Sequence, residues 1–74
     1  MIAAPETIHV YVNGADRIAT AGAGLASLLE EMALGSRPGL AVAVNDEVVP
    51  RTLWAACRLN AGDRVLVIQA SQGG

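Results

Sequence analysis

The sequence contains no lysine, no phenylalanine, one cysteine and only two aromatic residues among 74. The single cysteine, Cys57, cannot form an internal disulfide, which fits a reducing compartment, so we expect a cytoplasmic protein. Because aromatic side chains are nearly missing, the core has to be built from Val, Leu and Ile. A chain this short buries only about 60% of its extended surface on folding, which suits one small core and excludes a two-domain enzyme with a cleft.

Charge and hydrophobic run length exclude two classes of partner. Five arginines and seven acidic residues are scattered along the chain and give a net charge of −2. A nucleic-acid partner requires a positive face that replaces condensed counterions, so we expect none. The N-terminal segment lacks the basic start and the long apolar run of a signal peptide. Apolar stretches such as residues 40–44 are far too short to span a bilayer, so we expect no membrane association.

The first third of the chain has the pattern of a β-hairpin. Residues 8–12 alternate between apolar and other side chains, which predicts a strand that is buried on one face. Asn13-Gly14 follows, and both residues tolerate the positive φ that a tight hairpin turn requires. Residues 16–20 are predicted to return as a second strand, with Ile18 facing the core.

A helix is predicted next, because the hydrophobic period changes after two glycines. The spacing i, i+3, i+4 and i+7 forms one apolar stripe, made of Leu25, Leu28, Leu29 and Met32. We expect Gly24 at the N-cap and Gly35 at the C′ position, where its freedom to adopt a left-handed conformation ends the helix.

The second half of the chain predicts three more strands. Residues 40–44 alternate, residues 45–47 form a turn, and residues 48–49 form a short strand that ends at Pro50, which has no N–H for a ladder. Residues 51–59 are expected to carry a helical turn that places Leu53 and Trp54 near the core edge. Asp63 is predicted to bond backbone N–H groups in a turn before the last strand, residues 64–69.

This element order, β-β-α-β-β-β, predicts an α+β fold in which a mixed sheet packs on one helix. It is the β-grasp arrangement of ubiquitin-like proteins, and by analogy we place the first and last strands together at the sheet centre. We expect a flexible N-terminal lead over residues 1–7, the β-grasp domain over 8–69 and a flexible tail over 70–74.

Catalytic and metal-binding patterns are missing from the sequence. There is one histidine, His9, which is predicted to face solvent, and Cys57 is interpreted as a small half-buried hydrophobe. No local cation lowers the pKa of that thiol, and no metal-ligand spacing or glycine-rich phosphate loop occurs. Without a nucleophile and base pair, we expect neither an enzyme nor a bound metal or cofactor.

The C-terminal residues are the feature with the clearest functional interpretation. Gly73 and Gly74 follow a short polar stretch after the last predicted strand. Two residues without Cβ atoms allow a narrow enzyme channel to approach the backbone closely, and residues 70–74 extend at most about 17 Å. The alternative is an inert frayed end, the usual condition of chain termini.

Three segments together resemble the ThiS family, the sulfur carriers of thiamine thiazole synthesis. They are residues 42–45 with Val49-Pro50-Arg51 and Trp54, then Gly62-Asp63, and then Gly73-Gly74. The resemblance covers about residues 8–74. The family's helix often starts with Thr where this chain has Gly24.

The resemblance implies a carrier that other proteins act on. An E1-like, ThiF-type adenylyltransferase would use ATP to adenylate the carboxylate of Gly74, with Gly73 giving access to the tail. Sulfur that originates from a cysteine desulfurase would displace AMP and leave a thiocarboxylate. A ThiG-type thiazole synthase would then take the sulfur.

Two other functions stay open from the sequence. The chain could serve molybdopterin synthesis or another thiocarboxylate pathway, or it could be a β-grasp interaction module whose tail does not react.

A docking surface is predicted at Leu66 and Ile68, because Val65 and Val67 should face the helix and leave this apolar pair on the other face. The alternative is that residues 51–59 cover the pair.

Overall fold

The computed structural model describes residues 6–35 and 37–69. Its elements are β1 (Thr7–Val12), β2 (Ala15–Thr20), α1 (Leu25–Glu31), β3 (Leu40–Val44), β4 (Glu47–Val48), a short 3-10 helix (Arg51–Leu53) and β5 (Arg64–Gln69). The strands form one sheet in the order β2-β1-β5-β3-β4. β1 and β5 are parallel and adjacent, and the other pairings are antiparallel. The predicted α+β, β-grasp order and the central position of the first and last strands are confirmed.

The core lies between α1 and one face of the sheet. The predicted helix stripe is buried at Leu25, Leu28 and Leu29, each at most 1% exposed, while Met32 packs against the core and is half-buried. The sheet and the segment after β4 contribute the other large buried side chains: Val10, Val12, Val42, Trp54, Leu59 and Val65. As expected from the composition, aliphatic side chains provide nearly all of this core.

The prediction that Ile18 faces the core is wrong, and the hairpin register gives the reason. The turn at Asn13-Gly14 pairs Val12 with Ala15 and His9 with Ile18. Directly opposed residues of an antiparallel pair point to the same face, so Ile18 shares the solvent-facing side of His9. Ile18 is 59% exposed, whereas its neighbour Ala19 is buried.

The N-terminus of α1 is capped by backbone carbonyls of the segment that follows β4. Gly24 is the N-cap residue, as predicted, and its φ of −81° is accessible to any residue. The Leu25 and Ala26 N–H groups donate to the carbonyls of Cys57 (2.7 Å) and Trp54 (3.2 Å). These bonds satisfy helix N–H groups that side chains would otherwise have to cap.

The helix ends earlier than Gly35, contrary to the prediction. Its C-cap is Met32, and the left-handed C′ residue is Ala33, with φ of 61°. The Leu34 N–H donates to the Leu29 carbonyl at 2.8 Å and the Ala33 N–H to the Glu30 carbonyl at 2.9 Å. This pair of bonds is a Schellman motif, so hydrogen bonding and packing place an alanine where glycine is preferred.

We therefore expect Ala33→Gly to stabilise the fold by about 1 kcal/mol, because glycine has no Cβ to oppose a positive φ. Urea unfolding followed by circular dichroism measures the change. Ser27→Gly is the matched control, since Ser27 is exposed within α1 and the lower helix propensity of glycine should cost about 0.5 kcal/mol there. Equal destabilisation by both substitutions would contradict the Schellman assignment.

Two smaller predictions in the second half need correction. The turn before β4 has two residues, because Asn45 (φ 51°) and Asp46 (φ 71°) both adopt positive φ and pair Val44 directly with Glu47. The short strand is therefore Glu47–Val48 instead of residues 48–49. The helical turn after it is confirmed as the 3-10 helix, with Trp54 in the core, but Leu53 is 53% exposed.

Candidate functional site

The side chains of β5 alternate between the core and the predicted docking surface. Val65 is buried and Val67 half-buried on the α1 side of the sheet, as predicted. Leu66 and Ile68 alternate with them and point to the opposite side, where they are 49% and 54% exposed. Residues 51–59 do not cover this pair, because that segment packs at the N-terminus of α1, where Trp54 and Leu59 enter the core.

Leu66 and Ile68 belong to a larger exposed patch on the sheet face opposite α1. Their partners across β3 are Ala43 and Ala41, whose small side chains leave both larger residues accessible. Tyr11 on β1 and Val48 on β4 extend the same face on either side and are 43% and 72% exposed. We call Tyr11, Val48, Leu66 and Ile68 the outer patch. An apolar area of this kind is typical of a protein-binding surface.

Polar groups border the outer patch near the start of β5. Arg64 donates to Asp46 at 3.0 Å in an ion pair that is largely exposed and therefore contributes little to stability. Tyr11, Arg64 and Leu66 line part of an open depression of about 310 Å³ on this face. The lining combines apolar side chains with the charged pair Arg64 and Asp46, a mixture that protein interfaces also have.

Asn45 and Asp63, two residues of the family-like pattern, fix the start of β5. The Asn45 side chain donates to Asp63 at 2.9 Å and accepts a hydrogen bond from the Arg64 N–H at 2.9 Å. Asp63 also accepts a bond from the Asn60 N–H at 2.7 Å, so its predicted role as a turn residue is confirmed. Together these bonds tie the β3–β4 turn to the strand that precedes the tail.

Arg51 and Trp54, the other distinctive residues of that pattern, form a structural clamp. The guanidinium of Arg51 stacks on the Trp54 ring, 4.5 Å from its centroid. It also donates to the carbonyls of Gly35 (2.9 Å) and Arg37 (2.5 Å), while the Trp54 indole donates to the Val49 carbonyl at 2.9 Å. The clamp holds the loop after α1 against the segment after β4.

The remaining sequence candidates show no catalytic arrangement. His9 is exposed and bonds to Asp16 at 2.9 Å. Burial raises the pKa of the Cys57 thiol, and the Asp63 carboxylate raises it further, so this half-buried thiol stays protonated at neutral pH. Across residues 6–35 and 37–69, no cluster of His, Cys, Asp or Glu has the geometry of a metal site. No helix in the same ranges is long and apolar enough to cross a membrane.

The two glycines of the predicted reacting end, Gly73 and Gly74, lie outside the described residues, as does the whole predicted tail, residues 70–74. Of the predicted lead, residues 1–5 also lie outside them, and Thr7 is the first residue of β1. The last described residue is Gln69, at the end of β5. Sequence reasoning missed Tyr11 and Val48 as members of the outer patch. The alternation of β1 carries the signal for Tyr11, since it lies between the buried Val10 and Val12.

The fold and this exposed face define a small ubiquitin-like β-grasp domain with a C-terminal glycine pair in its sequence. The sequence model of the ThiS family matches residues 5–74, and the chain belongs to this family. The match includes both glycines. Membership supports a role as a sulfur carrier that is not itself an enzyme.

Solved structures of thiamine biosynthesis proteins have the same fold. The crystal structure of ThiS from Geobacter metallireducens superposes with a TM-score of 0.77 at 23% identity, covering 90% of this chain and 100% of that chain. A solution structure of a thiamine biosynthesis protein from Geobacter metallireducens gives a TM-score of 0.68 at 26% identity, covering 90% of this chain and 88% of that chain. No curated protein matches in a sequence comparison.

Proposed function

We propose that this protein carries sulfur for thiazole formation in thiamine biosynthesis as a thiocarboxylate on Gly74. The observation that carries the proposal is the family match through residues 5–74, which includes the Gly73-Gly74 pair. A ThiF-type E1-like enzyme acts first. The Gly74 carboxylate attacks the α-phosphate of ATP, pyrophosphate leaves, and an acyl adenylate remains. This step is needed because a carboxylate at neutral pH is a poor electrophile.

Sulfur transfer follows on the same carbon. Hydrosulfide attacks the acyl carbon. When the sulfur comes from a cysteine desulfurase, a thiol reductant first reduces it to the oxidation state of hydrosulfide. The bond to the AMP oxygen breaks and AMP leaves, so one oxygen of the carboxylate has been replaced by sulfur. A ThiG-type thiazole synthase then takes this sulfur. The chain supplies no catalytic side chain, and ATP binds to the activating enzyme.

The architecture supports a role in which this chain presents its C-terminal residues and the partner enzymes supply the catalysis. β5 is central in the sheet and pairs with β1 on one side and β3 on the other, so it gives the following residues a fixed point of departure. Residues 70–74 extend at most about 17 Å from that point. A short tether of this kind limits the positions that Gly74 can occupy once the domain has docked, which raises its effective concentration in a nearby active site.

The outer patch is the surface that we propose for docking on the activating enzyme or the thiazole synthase. Leu66 and Ile68 lie on the strand that leads to the tail, so a partner bound to them would be close to the reacting end. Leu66 and Ile68 are about half exposed. When a partner removes such aliphatic side chains from water, binding becomes more favourable by about 25 cal/mol per Å² of apolar surface buried.

Replacing both Leu66 and Ile68 with Ser is therefore expected to weaken partner binding by at least about tenfold, which corresponds to about 1.4 kcal/mol, with the thermal transition near wild type. Isothermal titration with each enzyme measures the binding. Ile18→Ser is the control, because Ile18 is exposed on the same face but lies on the edge strand β2. If the double variant is strongly destabilised but its folded fraction binds both enzymes with wild-type affinity, the pair belongs to the core.

Adenylation is tested by pyrophosphate release. The activating enzyme with ATP should release pyrophosphate only when this chain is added. A chain whose C-terminal carboxylate is converted to the amide should give the background rate, since the amide cannot attack the α-phosphate. Equal release with the carboxylate and the amide would contradict activation at Gly74.

A further inference from the structure

Arg37 holds the end of β5, where the described chain stops before the tail. Its guanidinium donates to the side-chain carbonyl of Gln69 at 3.2 Å. Gln69 is paired with Leu40, the first residue of β3, and Arg37 lies three residues before Leu40. One arginine thus connects the loop that enters β3 with the last residue of β5.

The other side of β5 offers Gln69 less support. β1 ends at Val12, which is paired with Val65. Asn13 continues this side for a short distance, because its N–H donates to the Val65 carbonyl at 2.9 Å and its side chain accepts a bond from the Val67 N–H at 2.8 Å. Among the described residues, no strand pairs with Gln69 on the β1 side.

The position of Arg37 depends in turn on the clamp formed by Arg51 and Trp54. Arg51 donates to the carbonyls of Gly35 and Arg37 itself, and its own plane is fixed on the buried Trp54 ring. A planar guanidinium can stack and donate to two carbonyls at once, whereas a lysine ammonium is a point charge on a flexible stem. The contacts therefore run without interruption from the core through Arg51 and Arg37 to Gln69.

We propose that Arg37 and Arg51 are positioning residues that fix the direction in which the chain leaves the sheet at Gln69. This inference rests on the proposed function, since it matters for sulfur loading. A carrier whose last strand residue is already held loses less conformational entropy when the tail enters an enzyme channel. The family-like Arg51 and Trp54 pair thereby acts on the tail through Arg37 and Gln69.

The test uses the full-length chain with Arg37→Ala, Gln69→Ala and the double variant. Each single substitution should lower kcat/KM for thiocarboxylate formation about fivefold, the factor expected from ordering about one backbone residue. The double variant should be no worse than either single one, because both remove the same contact. Arg51→Lys should give a similar loss although the charge is kept. Arg58→Gln is the control, since Arg58 only approaches the Gly22 carbonyl at 3.5 Å.

Backbone ¹⁵N relaxation provides a second readout that does not need an enzyme. Arg37→Ala and Arg51→Lys should lower the order parameter of the Gln69 amide and leave that of Val65 unchanged. Unchanged order at Gln69, or additive losses in the double variant, would overturn the positioning role. If the wild-type chain gains no sulfur at all, the proposed function fails, while relaxation still decides whether Arg37 and Arg51 hold Gln69.

Discussion

Deletion of Gly74 is expected to abolish sulfur loading and to leave the folding transition unchanged. The deletion moves the terminal carboxylate back by about 3.5 Å, the length of one extended residue. In a positioned reaction, a displacement of about 1 Å can already cost 10²-fold in rate. Intact mass spectrometry after incubation with the activating enzyme, ATP and sulfide follows the loading. Calorimetry checks the fold, whose strand β5 reaches Gln69, five residues before Gly74.

An extended tail provides the complementary variant. Adding one Ala after Gly74 keeps every native residue but shifts the carboxylate outward and introduces a Cβ beside it. We expect this protein to dock with native affinity and to load no sulfur. If both altered tails load as fast as the native tail, the carrier function is falsified, and an interaction module with an inert tail becomes the better explanation.

Leu28→Ala and Leu29→Ala are each expected to destabilise the domain by about 2–5 kcal/mol, because truncation removes buried methyl groups and leaves a cavity. Both side chains are at most 1% exposed and lie in the middle of α1. The total stability of a small domain is near the lower end of about 5–15 kcal/mol. Either substitution should therefore unfold a substantial fraction of the protein, which thermal or urea denaturation measures directly.

Leu53→Ala is the matched control for the buried leucines. Leu53 is 53% exposed at the end of the 3-10 helix, so we expect a change within about 0.5 kcal/mol. If Leu28→Ala and Leu29→Ala cost no more than Leu53→Ala, the packing of α1 on the sheet would be wrong.

The sequence was sufficient to predict the elements because its hydrophobic periods are clear. The alternation in β1, β3 and β5 and the helical spacing from Leu25 to Met32 place each element to within about two residues. Ile18 was misplaced because the apolar character of one residue was given more weight than the register of the turn. The pairing set by Asn13-Gly14 assigns Ile18 to the face of His9. The two-residue turn in the sequence is therefore sufficient to predict that Ile18 faces solvent.

Features that depend on contacts between distant segments could not be predicted. No local signal marks Ala33 as the left-handed residue, since the preference for glycine pointed to Gly35 and packing decided otherwise. By contrast, the outward direction of Leu66 and Ile68 could be predicted, because it follows from the local alternation along β5. The link from Arg51 to Arg37 and Gln69 joins three separate segments, and its geometry depends on how the loop after α1 folds back.

Intact mass measurement of the unaltered chain tests the sulfur-carrier function most directly. The chain is incubated with a ThiF-type activating enzyme, ATP and hydrosulfide, and parallel samples lack ATP or the enzyme. We expect the complete mixture alone to give a species in which one oxygen is replaced by sulfur, and alkylation of the thiocarboxylate should place the change on Gly74. An unchanged mass in the complete mixture, with an enzyme that loads another ThiS protein in the same assay, would contradict the function proposed here.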